Sequence, residues 1–335
     1  MSAPLLKEVI SRENDTDAQI ISVVVPVLNE AENIPLLYRR LVEVLQPAVV
    51  RNFEVIFADD GSCDASWPAI SALAEQDPRV RGVRLSRNFG HQYALMAGLE
   101  IAVGDAVIMM DCDLQHPVEM IPALLERWRA GFKVVKTLRR DDCEIGWFKR
   151  ATSMGFYRLF SYLSGVKLQA GLADFRLLDR QALRELLRFS EEGLFLRGLT
   201  EWIGFSSCIL PYQAGKRACG QSQYSFKKMV SLAWKGVSSF SIMPLRIGIL
   251  IGLLGSLLSV FGVFYAFFGK IFGYGTVPGW ASTLMVISLL FSLLFVYLGI
   301  LGEYIGRIII EVRHRPRFIV CDTAGFGKHV PPAHD

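Results

Sequence analysis

Short apolar runs rich in β-branched residues alternate with longer amphipathic stretches through the first part of the chain. The short runs predict strands at residues 21–27, 53–58, 82–86, 105–110 and 133–137. The amphipathic stretches predict helices at residues 31–46, 66–76, 91–103 and 117–130. Continuous apolar strands that alternate with helices are typical of a mainly parallel sheet with helices on both faces, so the pattern predicts an α/β fold.

Two long apolar runs near the C-terminal end indicate a second kind of structure. Residues 247–268 and 277–302 contain no charged side chain, and each run exceeds the ~20 residues that a helix needs to cross a bilayer. A buried core helix is the alternative for either run, although two such runs joined by a short loop are unusual in a soluble domain. We predict a two-helix transmembrane hairpin over residues 246–303, with helices at about 247–268 and 280–302.

The charges on either side of the hairpin predict its orientation. Basic residues precede the first run and follow the second: Lys227, Lys228, Lys235, Arg246, Arg307, Arg313, Arg315 and Arg317. The loop between the runs carries only Lys270. Positive residues stay on the cytoplasmic side. We therefore expect a multi-pass protein of the inner (plasma) membrane, with both termini and the large N-terminal region in the cytoplasm.

Composition narrows the classes of function. The chain has 335 residues, 52% of them hydrophobic, and its net charge of +4 is too small to indicate nucleic-acid binding. Its six cysteines form no CxxC pair and are expected to be reduced, ordinary residues. The first residues have no apolar core, so no signal peptide is expected.

Aromatic and basic residues are mixed between the sheet region and the hairpin. Residues 143–165 and 225–240 have this composition, which is typical of helices on a membrane surface. For the first stretch, the alternative is that its aromatic side chains pack on the sheet. We predict a polar leader, a cytoplasmic sheet domain, an interfacial amphipathic helix, the hairpin and a cytoplasmic C-terminal segment, at residues 1–19, 20–225, 226–245, 246–303 and 304–335.

Polar motifs follow three of the predicted strands. PVLNE closes the first strand, DDGS follows the second and DCDLQH follows the fourth. Ligands of parallel sheets bind beyond the carboxyl ends of the strands. Three acid-bearing loops at that edge predict a binding site there.

The DCDLQH motif contains two acids, Asp111 and Asp113, one residue apart. On a strand both would point to the same face, and buried acids are costly unless they are paired or bind a metal. Mg²⁺ and Mn²⁺ are usually held by one or two carboxylates together with substrate phosphates. The pair therefore predicts a divalent metal that binds a diphosphate. The alternative is that one acid, Asp113 in particular, caps the helix that begins near Pro117.

The DDGS motif offers a second pair of acids, Asp59 and Asp60. An aspartate at the end of such a strand can bind ribose hydroxyls or a base, whereas the alternative is a turn with Gly61. No GxGxxG follows the first strand and no GxxxxGK[ST] occurs in the sequence. Dinucleotide-binding and P-loop folds therefore lose their main support.

Arginine and lysine residues beyond the fourth strand are candidates for phosphate binding: Arg139, Arg140, Lys149, Arg150, Arg176 and Arg217. Guanidinium groups bind phosphate oxygens with two parallel hydrogen bonds. Contact with anionic lipid is the alternative. We assign Arg139, Arg150 and Arg217 to a phosphate and the others to membrane contacts or to structure.

Taken together, the motifs resemble those of family 2 glycosyltransferases of the polyisoprenyl-phosphate branch. They are VVVPVLNEAENI, ADDGSCDAS, RLSRNFGHQYALMAG, MDCDLQHP, ADFRLLDR, GLFLRGLTEWIGF, SFSIMPLR and EYIGRIIIEVRHRPRFIV. That branch includes dolichol-phosphate mannose synthases, bactoprenol glucosyltransferases and the aminoarabinose transferases of lipid A modification. The resemblance covers residues 20–320, and the two apolar runs make it greatest for the bacterial bactoprenol (undecaprenyl-phosphate) glucosyltransferases.

The resemblance implies a GT-A fold, which is Rossmann-like, a nucleotide-sugar donor, a divalent metal and a lipid-phosphate acceptor. By motif position, the residues that contact the nucleotide are Pro26, Asn29, Glu30, Asp60 and Asp111. Those that hold the metal and the donor diphosphate are Asp111, Asp113 and Gln115. Those that receive phosphates are Arg139, Arg150, Ser153 and Arg217. Asp113 and Asp174 are the expected catalytic residues.

One position departs from the family pattern. The family commonly has GxSKYS where this chain has GQSQYS, so Gln223 stands in the lysine position. A cation is therefore missing near the expected phosphate site, although Arg217 remains. This departure puts a phosphate role for that loop in doubt.

The expected reaction is inverting transfer of a sugar, glucose by resemblance, from a UDP-sugar to undecaprenyl or another polyprenyl phosphate. Asp174 would face the acceptor as a base or an orienting group. We favour the second, because a phosphate monoester with a second pKa of ~6 is already largely dianionic near neutral pH. Mannose, N-acetylglucosamine and formamido-aminoarabinose are alternative sugars. Membrane lipids are expected partners, nucleic acid is not, and packing of the hairpins could make a homo-oligomer.

Three other functions compete with this one. A processive polysaccharide synthase shares the GT-A domain but needs a translocation channel and usually a QxxRW motif, which this chain lacks. A membrane-anchored nucleotide-binding regulator without catalysis is the second. A lipid-binding or pore-forming oligomer is the third, and the apolar runs have no polar faces to support it.

Overall fold

The computed structural model describes residues 19–46, 52–140, 172–189, 196–213, 279–313 and 315–326, and the positions 248, 252–254, 257, 261, 264, 268 and 271. They form two compact units. The described residues up to 213 and from 316 onward belong to the first unit, and those from 248 to 315 belong to the second.

The first unit contains an eight-stranded sheet in the order β7-β5-β6-β4-β1-β2-β3-β8. The strands are β1 (Ile20–Val27), β2 (Asn52–Asp59), β3 (Val80–Leu85), β4 (Ala106–Met109), β5 (Val134–Arg140), β6 (Leu172–Asp179), β7 (Ser207–Gln213) and β8 (Val320–Ala324). Strands β4, β1, β2 and β3 are mutually parallel, and β5 is parallel to β7. Strand β6 runs antiparallel to both β4 and β5, and β8 runs antiparallel to β3.

Helices connect the strands much as the amphipathic stretches predict. They are α1 (Asn33–Leu45), α2 (Ser66–Gln76), α3 (His91–Ile101), α4 (Ile121–Arg129), α5 (Arg180–Leu187) and α6 (Leu196–Trp202), with a short 3₁₀ helix (Val118–Met120) before α4. The predicted mainly parallel α/β sheet is confirmed. Strand β6 is not among the predicted strands; it enters the sheet antiparallel and thereby places its first residues at the carboxyl end of β4.

The core lies on both faces of this sheet. On one face Val25, Phe57 and Phe175 are fully buried among the side chains of α1 and α4. On the other, α3 packs so closely that a Cβ on Gly98 would lie 2.4 Å from Val24 Cγ1. Burial of both faces explains why the central strands read as unbroken apolar runs rather than as an alternation.

The C-terminal strand β8 completes the sheet at its far edge. Strand β8 lies in the segment predicted to be separate and cytoplasmic, residues 304–335, yet it pairs with β3, with Thr323 opposite Val83. A side-chain hydrogen bond reinforces the pairing, because Trp67 Nε1 of α2 donates to Asp322 Oδ2 at 3.0 Å. Strand β8 covers the edge of β3 that would otherwise present unpaired backbone groups.

The second unit contains a long apolar helix, α7 (Trp280–Val312), which includes the second predicted span. Within the described part of the chain it is the single helix long and apolar enough to cross a membrane, over Leu289–Ile310, with none of that stretch buried. The described positions of the first predicted span are helical, among them Leu253, Leu257 and Phe261. The predicted interfacial helices at 143–165 and 226–245 lie outside the described residues.

Candidate active site

Polar loops meet at the carboxyl edge of the parallel strands. The loops after β1, β2, β3 and β4 carry the motifs that the sequence singled out, and the start of antiparallel β6 lies beside the end of β4, with Arg176 opposite Met109. Crossover connections impose this convergence, because every strand of a parallel group ends at the same edge. The predicted clustering of acidic loops is thus observed.

The loop after β1 is tied to the loop after β2 by side-chain hydrogen bonds. Asn29 N–H donates to Ser62 Oγ at 2.9 Å, and Glu30 N–H donates to Ser66 Oγ at 2.9 Å. Asn29 Oδ1 in turn accepts from the Cys63 N–H at 3.0 Å. Asn29 has a left-handed backbone, with φ of 56°, which asparagine tolerates better than most residues. Pro26, the other residue expected here, is buried within β1.

Asp60 organises the loop that follows β3. Its carboxylate accepts from the backbone N–H groups of Phe89 at 2.8 Å and Gly90 at 2.9 Å. Burial raises the pKa of Asp60, and these hydrogen bonds oppose that rise. Asp60 thus holds one edge of the predicted nucleotide site in place. Its neighbour Asp59 accepts from Ser62 N–H at 3.0 Å, which is the turn chemistry considered as the alternative for this motif.

The first acid of the predicted metal pair, Asp111, lies between two histidines. His91 Nε2 lies 2.9 Å from Asp111 Oδ1, and His116 Nε2 lies 3.6 Å from Oδ2. The hydrogen bond to Asp111 raises the pKa of the half-exposed His91, whereas burial lowers the pKa of His116. His116 Nδ1 accepts from the Asp111 backbone N–H at 3.0 Å, so the buried imidazole fixes the peptide that carries this acid.

The second acid, Asp113, is exposed and accepts from the Gln115 N–H at 3.0 Å. Leu114, which lies between Asp113 and Gln115, has a left-handed backbone with φ of 59°, so the loop bends sharply at this point. Neither the 3₁₀ helix nor α4 has a side-chain cap at its start, which argues against the capping alternative for Asp113. Arg139, predicted to bind a phosphate, reaches the same loop, its Nη1 3.4 Å from Gln115 Oε1.

Asp174, near the start of β6, is bound by two arginines. Arg197 Nε and Nη2 lie 2.7 Å and 2.8 Å from its two carboxylate oxygens. Arg176 Nη2 lies 3.4 Å from Oδ1. Burial disfavours the charged carboxylate, but the hydrogen bond and charge of Arg197 outweigh it and lower the pKa of Asp174. Asp174, which was predicted to face the acceptor, is therefore an ionised carboxylate in a bidentate ion pair with Arg197.

Three residues that the sequence analysis did not assign to the site are His91, His116 and Arg197. Each of them lies in a motif that carried the family resemblance, so the sequence did offer a sign of their importance. The motifs are RLSRNFGHQYALMAG, MDCDLQHP and GLFLRGLTEWIGF. Three predicted residues, Arg150, Ser153 and Arg217, lie outside the described residues, as does Gln223. Among the described residues no group of three or more His, Cys, Asp or Glu side chains is arranged to hold a metal ion.

Comparison with known proteins identifies the family. A sequence profile described as "Glycosyl transferase family 2" matches residues 22–187. A bactoprenol glucosyl transferase of Shigella phage SfV is 41% identical over 303 residues, which are 90% of this chain and 97% of that protein. The chain belongs to glycosyltransferase family 2. The resemblance to bactoprenol glucosyltransferases that the motifs predict is confirmed.

Other known proteins are also similar to this chain. A relative in Bacillus subtilis (strain 168), named "Uncharacterized glycosyltransferase YkcC", is 39% identical over 91% of this chain and 94% of its own length. Among solved structures, glucosyl-3-phosphoglycerate synthase from Mycobacterium tuberculosis, in complex with Mn²⁺, UDP and phosphoglyceric acid, is 21% identical. The structural alignment covers 66% of this chain and 77% of the synthase chain, with a TM-score of 0.46.

Proposed function

We propose that this family 2 glycosyltransferase is an inverting hexosyltransferase that moves glucose from UDP-glucose to undecaprenyl or another polyprenyl phosphate. The reaction takes place at the cytoplasmic face of the membrane. The observation that carries the proposal is the extent of the similarity to bactoprenol glucosyl transferases, 41% over 90% of this chain and 97% of the relative. The match extends past the sheet domain into the region of the apolar runs.

The loop after β4 suits a divalent cation bound to a diphosphate. Asp111, Asp113 and Gln115 would hold the metal, because two carboxylates and an amide carbonyl are the hard oxygen ligands that Mg²⁺ and Mn²⁺ prefer. Asp111 Oδ2 has His116 Nε2 at 3.6 Å, beyond hydrogen-bond range, so this oxygen can still bind a ligand. When bound, such an ion neutralises charge on a departing nucleoside diphosphate.

Other residues of the chain would bind the nucleotide and the phosphates. The loops that contain Asn29, Glu30 and Asp60 form the nucleotide side of the site and are fixed to one another by hydrogen bonds. Arg139 contacts Gln115 and adds positive charge beside the metal loop. Arg150, Ser153 and Arg217 are proposed phosphate contacts on the strength of their motif positions.

The transfer itself needs no proton to move. An oxygen of the acceptor phosphate forms a bond to the anomeric carbon of glucose, while the bond from that carbon to the diphosphate oxygen breaks and UDP leaves with the electron pair. Attack from the far side inverts the configuration. Because the phosphate monoester has a second pKa of ~6, it is largely a dianion near neutral pH. An anionic acceptor and an anionic donor must therefore be brought together by positive charge.

The order of the strands along the chain supports a hairpin topology. Strand β7 precedes the described residues of the second unit, and β8 follows them, yet both strands belong to the same sheet. A segment that leaves a domain and returns to it must cross a membrane an even number of times. If α7 spans the bilayer, a second span is required, and residues 247–268 are the segment long and apolar enough to supply it.

A transfer assay tests the reaction. Full-length protein in detergent receives undecaprenyl phosphate, Mg²⁺ or Mn²⁺, and one labelled nucleotide sugar at a time: UDP-glucose, UDP-N-acetylglucosamine, GDP-mannose and a UDP-linked formamido-aminoarabinose. We expect label in the organic phase with UDP-glucose, its loss without metal, and its loss in Asp113→Ala. Asp105→Asn is the matched control, because Asp105 binds the Ile20 N–H at the opposite edge of the sheet. Nucleotide binding without transfer from any donor would instead support a regulator.

A labelling experiment tests the topology. Lys270→Cys, in the loop between the predicted spans, should react with a membrane-impermeant maleimide added outside intact cells. The native Cys321 of β8 is exposed and should react only after permeabilisation. Labelling of both residues, or of neither, in intact cells would contradict the hairpin.

A further inference from the structure

The Asp174 carboxylate has both oxygens engaged by arginine. Arg197 binds it through two parallel contacts of 2.7 Å and 2.8 Å, and Arg176 approaches Oδ1 at 3.4 Å. Protonation of the carboxylate would disrupt this bidentate pair, which is among the stronger hydrogen-bond arrangements in proteins. Asp174 is thus poorly suited to accept a proton during the reaction.

Helix α6 fixes the guanidinium of Arg197 from one face. Arg197, Thr200 and Glu201 are spaced i, i+3 and i+4, so they lie on the same side of the helix. Thr200 Oγ1 lies 2.6 Å from Arg176 Nη1, and Glu201 Oε1 lies 2.6 Å from Lys136 Nζ. These contacts attach the helix to β6 and β5. Arg197 lies on the same face of the helix, where it binds Asp174 of β6.

The same helix is linked to the metal loop through α3. Gln92 Oε1 accepts from the Leu196 N–H at the start of α6, at 3.4 Å. The preceding residue, His91, contacts Asp111. The charges of both Asp174 and Arg197 act on His91. Arg197 therefore belongs to the cluster at the carboxyl edge, on the side away from the nucleotide loops.

Two arginines, Arg176 and Arg197, flank the single carboxylate of Asp174. Arg176 is buried, with 3% of its side chain exposed, whereas 41% of the Arg197 side chain is exposed. The accessible member of the group is thus a guanidinium cation, which binds Asp174 through Nε and Nη2 and whose positive charge attracts phosphate oxygens.

We propose that Arg197 receives the phosphate group of the acceptor and that Asp174 is the positioning residue that orients its guanidinium. Asp174 is then not the general base. The inference rests on the proposed function, since it names the group that would bind the lipid phosphate. It assigns a role to an arginine that lies 23 residues after its partner, and it explains why a carboxylate can stand beside an anionic acceptor.

Steady-state kinetics of the full-length protein test this assignment. Arg197→Gln should raise the KM for undecaprenyl phosphate about 10-fold or more, because it removes the positive charge that attracts the acceptor phosphate, and should leave the KM for UDP-glucose within about twofold. Arg197→Lys keeps the charge but loses the bidentate contact with Asp174 that orients it, and should give a smaller rise. The matched control is Arg188→Gln at the C-terminal end of α5, an arginine 76% exposed and paired locally with Glu185. It should change neither constant.

The pH profile separates positioning from general-base catalysis. Asp174→Asn keeps an oxygen that can accept from Arg197, so it should raise the KM for the acceptor while the acidic limb of kcat/KM stays near the phosphate pKa of ~6. Loss of that limb in Asp174→Asn, together with an unchanged acceptor KM in Arg197→Gln, would overturn the inference. If Arg197→Gln fails to fold, an unchanged acceptor KM in Arg197→Lys would overturn it equally.

Direct binding distinguishes failure of the inference from failure of the proposed function. Labelled farnesyl phosphate should be retained by the wild-type protein and by Arg188→Gln, and lost by Arg197→Gln, while all three bind UDP. Retention by the wild-type protein with loss in Arg197→Gln, but without sugar transfer, would contradict only the proposed reaction. Transfer with equal retention by wild type and Arg197→Gln would contradict only the role of Arg197. Absence of retention by the wild-type protein would overturn both.

Discussion

The buried imidazole of His116 accepts a hydrogen bond from the backbone N–H of Asp111 at 3.0 Å. His116 stacks on Phe175, with ring centroids 5.2 Å apart and planes inclined by 16°. The side chain is 8% exposed, so the ring has little freedom to turn. The position of the Asp111 carboxylate is thus set through its own peptide group.

His116→Phe should weaken metal-dependent activity without loss of the fold. Phenylalanine keeps the stacking on Phe175 but cannot accept from the Asp111 N–H. Loss of a residue that orients a metal ligand typically costs about 10- to 100-fold in metal affinity. A titration of transfer activity with Mg²⁺ or Mn²⁺ measures this change, and thermal unfolding without metal serves as its control. An unchanged half-maximal metal concentration would show that the hydrogen bond does not position Asp111.

Gly61→Ala should damage the proposed nucleotide site, whereas Gly131→Ala should not. Both glycines have positive φ, 69° and 97°, so alanine costs about 1–2 kcal/mol at either position. Only at Gly61 would the new Cβ collide with backbone, 2.5 Å from the Arg87 carbonyl carbon, whereas nothing lies within 4 Å at Gly131. The collision should push the loop after β3 away from Asp60 and lower UDP affinity.

Isothermal titration with UDP and thermal unfolding compare these two variants. Gly61→Ala should unfold at a lower temperature than Gly131→Ala, because overpacking adds about 1–3 kcal/mol to the backbone strain. Equal UDP affinity in both variants would mean that contact between the DDGS loop and the loop after β3 has no influence on the nucleotide.

An ion pair before β3 should make stability depend on pH. Asp77 binds Arg79 at 2.6 Å and also accepts from the Tyr38 hydroxyl. The Arg79 hydrogen bond holds the pKa of Asp77 well below its usual range, while burial and the bond to Asp77 raise the pKa of Tyr38 to about 12. A depressed carboxyl pKa contributes stability above the unfolded value of ~3.9, and this contribution is lost as pH falls below it.

Asp77→Asn should therefore lower the free energy of unfolding at pH 7 by about 1–3 kcal/mol, and the difference from wild type should shrink below about pH 4. Tyr38 affects stability at alkaline pH: its contribution to the free energy of unfolding is lost as pH rises from about 10 to 12. Thermal unfolding across the pH range measures both limbs. Glu185→Gln, in an exposed i,i+3 pair, is the control and should cost no more than about 0.5 kcal/mol. A pH-independent difference would contradict the linkage.

Removal of β8 should destabilise the sheet domain. A chain that ends at Arg315 lacks the bond from Trp67 to Asp322 and loses Phe318 and Val320, which pack against the small core of Ala58, Val83, Leu85, Ala94 and Ala97. It also leaves the edge of β3 unpaired, which favours aggregation. A chain that ends after Phe326 is the control. Equal unfolding temperatures and solubility for the two truncations would show that β8 is dispensable.

The parallel half of the sheet could be predicted because its strands are buried on both faces. Strands such as β1 and β2 read as continuous apolar runs, and the turns at their carboxyl ends concentrate polar residues where ligands bind. The acid pair Asp111 and Asp113 stands at the end of such a strand, which is why it was predicted to bind a metal. Local patterns and a recognisable motif set thus led to the α/β class, and they are the basis of the proposed metal loop.

The rest of the fold and of the site depends on contacts that no local pattern encodes. Arg197 is 23 residues from Asp174, and Trp67 is 255 residues from Asp322. Strand β8, of sequence VCDTA, is short and polar in part, so periodicity does not indicate it. Its place is decided by the open edge of β3 and by the indole of α2. The antiparallel entry of β6 likewise depends on tertiary pairing rather than on the strand's own composition.

The position of β8 also dictates when the sheet can be finished during synthesis. Trp67 and Asp322 are 255 residues apart, which at about 5–20 residues per second corresponds to roughly 13–50 s of translation. Throughout that interval the edge of β3 has no native partner, and the ribosome must first deliver the apolar helix α7. Closure of the sheet therefore comes last, and a nascent chain whose apolar segment stalls would display an open strand edge that quality-control chaperones can recognise.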